Sequence, residues 1–206
     1  MKSNFWQRHK TLADILGIFF FVFSVTLGVI LINSFIFQSF TIVGGSMENT
    51  LHDGDKVIIS RLPTTWASLT NSVYTPKRGE VIVFKNPQYT AGMKDQYIIK
   101  RVIAFAGEKV TVKDGKVTVY NSEYPNGFNP DENFNNEPKS YTDHNGTWIV
   151  PENEIFVMGD NREGSNSYDS RSGLGTIPLY EIVGPVALRI WPFNGIRNFE
   201  YSQEYK

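Results

Sequence analysis

Three stretches of the 206-residue chain carry residue types that could do chemistry. The first is Val43-Gly44-Gly45-Ser46-Met47-Glu48-Asn49-Thr50-Leu51. Two glycines ahead of Ser46 permit a sharp backbone bend. Such a bend can aim a hydroxyl outward beside a backbone N–H, as an oxyanion site requires; an ordinary polar turn has the same composition. The hydrolase elbow Gly-x-Ser-x-Gly is absent, because Glu48 occupies its last glycine position.

A serine nucleophile needs a base. His52 is six residues on and is followed by Asp53, but neighbours on a strand face opposite ways, and a solvated His52 is expected. Lys100 is the other candidate, in the second stretch, Gln96-Tyr97-Ile98-Ile99-Lys100-Arg101-Val102-Ile103. On a strand, Ile98 and Val102 share its face while Ile99 and Arg101 take the other. An amine on an apolar face is desolvated, its pKa falls, and the neutral form is a usable general base. A lysine that snorkels to water from an edge strand explains the same pattern. The third stretch, Met158 to Gly173, follows an apolar strand-like run and sets Asp160 and Asp169 beside Arg162 and Arg171. Such charges can pair to order a loop beside a site, and equally suit a plain exposed loop.

The elements that must position these residues begin with a membrane segment. No charge occurs between Asp14 and Glu48, and Ile15 to Phe37 has only Ser24, Thr26, Asn33 and Ser34 as strongly polar residues. This run is long enough to span a bilayer and shows no polar face. It is too long for the apolar region of a cleaved signal peptide, and with no alanine from Ile15 to Trp66 it lacks an Ala-x-Ala-like cleavage site. Lys2, Arg8 and Lys10 precede it while Glu48, Asp53 and Asp55 follow. The positive-inside rule puts residues 1–14 in the cytoplasm, a transmembrane helix at 15–37, and 38–206 outside.

Beyond the helix the pattern turns to short β-like runs: Lys56–Arg61, Glu80–Phe84, Gln96–Ala104, Glu154–Met158 and Ile182–Ile190. Val110 to Val119 reads as a hairpin with Asp114-Gly115 as a type I′ turn. Residues 120–146, rich in Asn, Pro, Tyr and Asp, read as an inserted loop or small subdomain. No second helix is expected. The fold class is mainly β: an antiparallel catalytic domain with a small insertion, tethered by one N-terminal transmembrane helix.

Composition narrows the chemistry. The chain has no cysteine, which excludes thiol nucleophiles, disulfides and cysteine zinc sites, and its three histidines argue against a histidine-rich metal site. No metal and no cofactor is expected. A net charge of -1 gives no electrostatic footprint for nucleic acid.

Taken in order, these stretches resemble the type I signal peptidases, membrane-anchored serine proteases with a Ser–Lys dyad. Gly45-Ser46-Met47-Glu48-Asn49-Thr50-Leu51 is similar to the nucleophile box, and Gly54-Asp55-Lys56-Val57 to the next. Arg78 to Phe84, then Tyr97 to Val102 with Gly107-Glu108, resemble the lysine box; Gly159-Asp160-Asn161-Arg162 and Asp169-Ser170-Arg171 with Gly173 resemble the last. The resemblance runs from the anchor to about Pro192 and implies Ser46 as nucleophile and Lys100 as general base. It implies an oxyanion hole at Ser46 and Gly44, and small apolar S1 and S3 pockets lined by Phe40, Ile42, Met47, Leu51, Ile98 and Ile99. Asp169 and Arg171 would order the site, with Arg101 and Asp160 in support.

The chain departs from the family in two places. Gly44 stands where some members have an oxyanion-hole serine, so a second donor must come from backbone or elsewhere. The last box is two residues longer than usual, leaving Ser165 and Ser167 as candidates for the serine that supports the lysine; Ser167 is preferred because Asp169 and Arg171 lie on its side of the insertion.

The implied function is removal of signal peptides from exported preproteins, after small residues of the Ala-x-Ala type, at the extracytoplasmic face of the cell membrane. The implied partners are signal-peptide-bearing preproteins, the lipid bilayer and a nearby secretion translocon. A self-cleaving repressor-type protease would instead carry an N-terminal DNA-binding domain. A catalytically silent, membrane-tethered β-domain that binds exported chains is the non-enzymatic alternative.

Overall fold

The computed structural model describes residues 10–48, 50–133 and 141–199. Most of the expected cytoplasmic segment, Asn49, residues 134–140 of the expected insertion, and the last residues lie outside the described residues. Helix α1 spans Lys10–Phe35. Its Asp14–Phe35 stretch has a mean hydropathy of 2.8 and is long and apolar enough to cross a membrane. Phe19, Phe20, Phe21, Val22 and Phe23, consecutive and so pointing around the whole helix, are all exposed. A helix apolar on every side, and exposed through this stretch among the described residues, suits lipid and not water. The helix stops at Phe35 and Phe37 already belongs to a strand, so the apolar run is shared between two elements.

The strands are β1 (Phe37–Thr41), β2 (Lys56–Ser60), β3 (Val81–Lys85), β4 (Tyr97–Phe105), β5 (Lys109–Lys113), β6 (Lys116–Tyr120), β7 (Gly146–Ile149), β8 (Glu154–Met158), β9 (Ile177–Pro178), β10 (Ile182–Trp191) and β11 (Arg197–Asn198). One sheet of eight runs β1-β2-β10-β3-β4-β8-β9, with β11 on β10; the order β6-β5-β7 makes a second sheet of three. The described pairings are antiparallel. The mainly antiparallel β class expected from the pattern is the class observed.

A second helix, α2 (Leu62–Leu69), corrects the expectation of none. Pro63 sits in its first turn, where a missing N–H costs nothing. At eight residues it is too short to show a convincing 3.6-residue period. It is held by context: Thr65 Oγ1 donates to the Phe35 carbonyl at 2.9 Å, Arg61 N–H to Ile36 O at 2.8 Å, and Thr64 Oγ1 to Val183 O at 2.9 Å. These bonds join the end of α1 to the sheet.

Three apolar clusters position the site. In the first, Val110, Val112, Val117 and Val119 of the β5–β6 hairpin pack on Ile103, Phe156 and Met158. The hairpin turns through Asp114 (φ 52°) and Gly115 (φ 77°), the left-handed pair that a type I′ turn demands. In the second, Met47 and Leu51 from the loop after β1 sink among Val57, Ile59, Val81 and Val83. Both are fully buried, and each burial stabilises by roughly 1.5–3 kcal/mol. The third lies on the other face of β3 and β4 and includes Ile82, Phe84, Ile98 and Val102.

Candidate active site

Ser46 opens a tight turn between β1 and β2. The loop is closed at its base by Ile42 N–H to Asp55 O at 2.8 Å and Gly54 N–H to Ile42 O at 3.0 Å. Gly44 adopts φ +86°, a conformation other residues rarely take. Ser46 Oγ comes within 2.8 Å of Lys100 Nζ, across 54 residues of sequence. Lys100 also donates to the Ile99 carbonyl at 2.8 Å. Only 4% of Lys100 is exposed. Burial pushes its amine down from 10.5 to about 8, against the opposing pull of Asp169, Asp160 and Asp95; Arg171 adds to the lowering. The solvated reading of His52 agrees with a side chain 57% exposed.

The loop after β8 wraps this pair. The Asn161 N–H donates to Ser46 O and its Nδ2 to Gly45 O, both at 3.1 Å. Gly159 lies so close to the turn that a Cβ there would collide with the Ser46 carbonyl and with Ser167 Oγ. Arg171 grips Asp169 through Nε at 3.0 Å and Nη2 at 2.9 Å, and the Gly159 N–H donates to the same carboxylate at 3.0 Å. Burial opposes ionisation of Asp169, but Arg171, the Gly159 N–H and Ser167 outweigh it and hold its pKa below the usual carboxylate value. Arg101 Nε donates to Asp160 Oδ1 at 2.7 Å and its Nη1 to Gly79 O at 2.8 Å, while Thr50 Oγ1 bonds Asp160 Oδ2.

The expected site residues are therefore brought together around one point, with three qualifications. Ile98 belongs to the third cluster, while Ile42, Met47 and Leu51 with Phe40 and Ile99 share the second; strand alternation puts Ile98 and Ile99 on opposite faces. The Gly44 N–H, one of the two expected oxyanion donors, is engaged by Asp53 Oδ1 at 2.8 Å. Ser167 is buried and Ser165 exposed. The Ser167 hydroxyl lies outside strict hydrogen-bonding geometry, yet near enough to Asp169 to favour its charged form.

Sequence reasoning gave no role to Asn161 or Thr50, and to Arg162 only a share in loop-ordering ion pairs, with no partner outside the loop. Asn161 and Arg162 lie inside the last box, so their position was visible although their partners were not. No metal-holding group of His, Cys, Asp and Glu occurs among the described residues.

A serine oxygen lies against a desolvated amine, and buried ion pairs wrap the two. The family described as "Signal peptidase, peptidase S26" matches residues 15–191. The chain belongs to that family. It is 34% identical to signal peptidase I T of Bacillus subtilis (strain 168) over 176 residues, which cover 82% of this chain and 81% of that protein. It is 32% identical to signal peptidase IB of Staphylococcus aureus (strain MRSA252) over 188 residues, 84% and 85% of the two chains. A crystal structure of a signal peptidase I from Enterococcus faecalis V583 is 25% identical and covers 55% of this chain and 98% of its own, with a TM-score of 0.41.

Proposed function

We propose that the chain is a membrane-bound serine endopeptidase that removes N-terminal signal peptides from exported preproteins, cutting after Ala-x-Ala-type small residues with a Ser46–Lys100 dyad. The observation that carries this reading is the 2.8 Å contact between Ser46 Oγ and a buried Lys100 amine lowered to about 8. In its neutral form the amine accepts the Ser46 proton as Oγ attacks the scissile carbonyl. It then returns that proton to the departing amine, leaving an acyl-enzyme. Water deprotonated by the same amine releases the acyl group. The Ser46 N–H serves the oxyanion; Gly44 can add its N–H only by giving up Asp53.

Substrate recognition follows from strand edges. β1 is a terminal strand, and the Tyr97–Lys100 half of β4 pairs with β3 alone because β8 joins at Arg101. An extended chain entering here can add backbone bonds to both edges. Phe40 and Ile99 offer apolar walls over a floor of Ile42, Met47 and Leu51, and a filled floor discriminates by rejecting bulk. Helix α1 anchors the domain, with the N-terminus inside and the catalytic domain outside, near the translocon that delivers the preprotein. Sharing one bilayer raises the effective concentration of enzyme and substrate.

The test is cleavage of a preprotein with an Ala-x-Ala site by the purified full chain in lipid, followed by mass spectrometry. Cleavage after the last alanine is expected for wild type. Ser46→Ala and Lys100→Ala should each lose roughly 10⁴-fold or more. A folded wild type that leaves the preprotein intact would sink this reading and favour the silent binder.

A further inference from the structure

The 120–146 excursion has no part in the dyad, yet it reaches the catalytic loop through a buried cation. Arg162 is fully buried. Its Nη1 and Nη2 each donate to the Asp131 carboxylate at 2.8 Å, in bidentate geometry. Asp131 lies in a short 3-10 turn of the excursion, Pro130–Asn133. The third guanidinium nitrogen, Arg162 Nε, donates to the Gly159 carbonyl at 2.6 Å. Gly159 is the residue packed against the Ser46 carbonyl and Ser167. A second strand of contacts runs in parallel: Arg171 Nη1 donates to Asp143 O at 3.0 Å and Arg162 O at 3.1 Å while Arg171 holds Asp169.

We propose that Asp131 is a positioning residue of the active site: it fixes Arg162, which fixes the Gly159 carbonyl and so the loop that frames Ser46 and Lys100. A loop fastened only for stability could be fastened by apolar contacts. A fully buried guanidinium instead loses its hydration and needs a partner, and the fork makes its orientation depend on the carboxylate. Removing that carboxylate leaves a buried charge without its counterion, and the guanidinium must turn toward water. The Gly159 carbonyl then loses its donor, and the backbone between β8 and Asn161 loosens beside the nucleophile. Asp131 and Arg162 act through this backbone, so the chemical step suffers and substrate binding does not.

The inference rests on the dyad reading above, and its test keeps the two separate. Full-length wild type, Asp131→Asn, Asp131→Glu and Glu123→Gln would be compared in lipid, each normalised to folded protein. Three readouts are needed: kcat and KM for preprotein cleavage, the pH profile of kcat/KM, and the rate of Ser46 labelling by a fluorophosphonate probe. Asp131→Asn should lower kcat about tenfold to a hundredfold with KM within about twofold, and slow labelling in proportion. It should also move the acid limb of the profile to higher pH. Water admitted to Lys100 relieves its desolvation, while Asp169, Asp160 and Asp95 still favour its charge and Arg171 still opposes it. Asp131→Glu should recover much of the loss, and Glu123→Gln, an exposed charge removed from the same excursion, should behave as wild type. Asp131→Asn with wild-type kcat, profile and labelling per folded molecule would overturn the inference. If wild type cleaves no preprotein, the proposed function falls and the relative labelling rates alone decide this one.

Discussion

The small β6-β5-β7 sheet and the loops around Ser46 are neighbours ordered by opposite means. The sheet is held by alternation: Val110, Val112, Val117 and Val119 are buried on one face, and the lysines and threonines between them face out. Its hairpin pairs residues only a few positions apart. The site has little regular structure and is held by charge. Asp160, Asp169, Arg101, Arg162 and Arg171 are all buried, and their partners are often distant: 59 residues separate Arg101 from Asp160 and 31 separate Arg162 from Asp131. Apolar burial is non-directional and tolerates small shifts. A buried ion pair adds little net stability but fixes orientation strongly. The sheet should therefore convert damage into lost stability, and the site should convert it into lost catalysis.

The largest expected effect breaks the site while sparing the fold's core. Gly159→Ala puts a methyl into the Ser46 carbonyl and Ser167 Oγ, and one of those is backbone that cannot rotate away. The turn or the loop must move, and displacement near 1 Å in a dyad costs about 10²–10³-fold in kcat. Cleavage assays on protein confirmed folded by circular dichroism would measure it. Wild-type kcat would mean that the approach of the two loops is not needed for chemistry.

The next effect reverses the usual sign, because the site is bought at the expense of stability. Lys100 titrates near 8 when folded and near 10.5 when its ordinary value is restored by unfolding. Between those values the unfolded chain binds the extra proton, so stability rises with pH across the window, and the cost of burial is complete below about 8. Lys100→Met should be inactive yet more stable than wild type at pH 7, by up to about 3 kcal/mol. The advantage should shrink toward pH 10. Denaturant unfolding at both pH values checks this, and an advantage that does not depend on pH would show that desolvation of the amine is not its source.

The same division explains what could be read from the sequence. The β5–β6 hairpin was legible to within a residue because a two-residue period and Asp-Gly carry both strands and turn locally. Residue logic made Ser46 and Lys100 candidates with ordinary alternatives, and the order of four family-like boxes singled them out. β7, β9 and β11 were not anticipated; two of them have two residues each and exist only because a neighbour offers an edge. β1 was hidden because Phe37 and Phe40 continue the apolar run of α1. α2 was missed for want of length. Arg162 and Asp131 had no legible relation, since no spacing rule connects a buried arginine to a carboxylate 31 residues earlier. Ile98 and Ile99 were both assigned to the pocket through the resemblance, although a strand sends adjacent side chains apart.

The smallest effect sharpens the comparison from the other side. Val117 lies on β6, one of the two outer strands of the small sheet, and its side chain is almost wholly buried within the first cluster. Val117→Ala removes two methyl groups from that packing and takes away no hydrogen-bonding or charged group. The expected loss is about 2 kcal/mol of stability, from transfer plus residual cavity. The cavity is lined by apolar side chains, which relax into it without redirecting any donor or acceptor. Per folded molecule, kcat, KM and the acid limb of the pH profile should then stay within about twofold of wild type, because nothing that orients Ser46 or Lys100 has lost a directional contact. Thermal unfolding and cleavage kinetics on one preparation would decide it. A fall in kcat beyond the unfolded fraction would place the hairpin's packing among the devices that aim the catalytic loop, and the contrast between the two regions would fail.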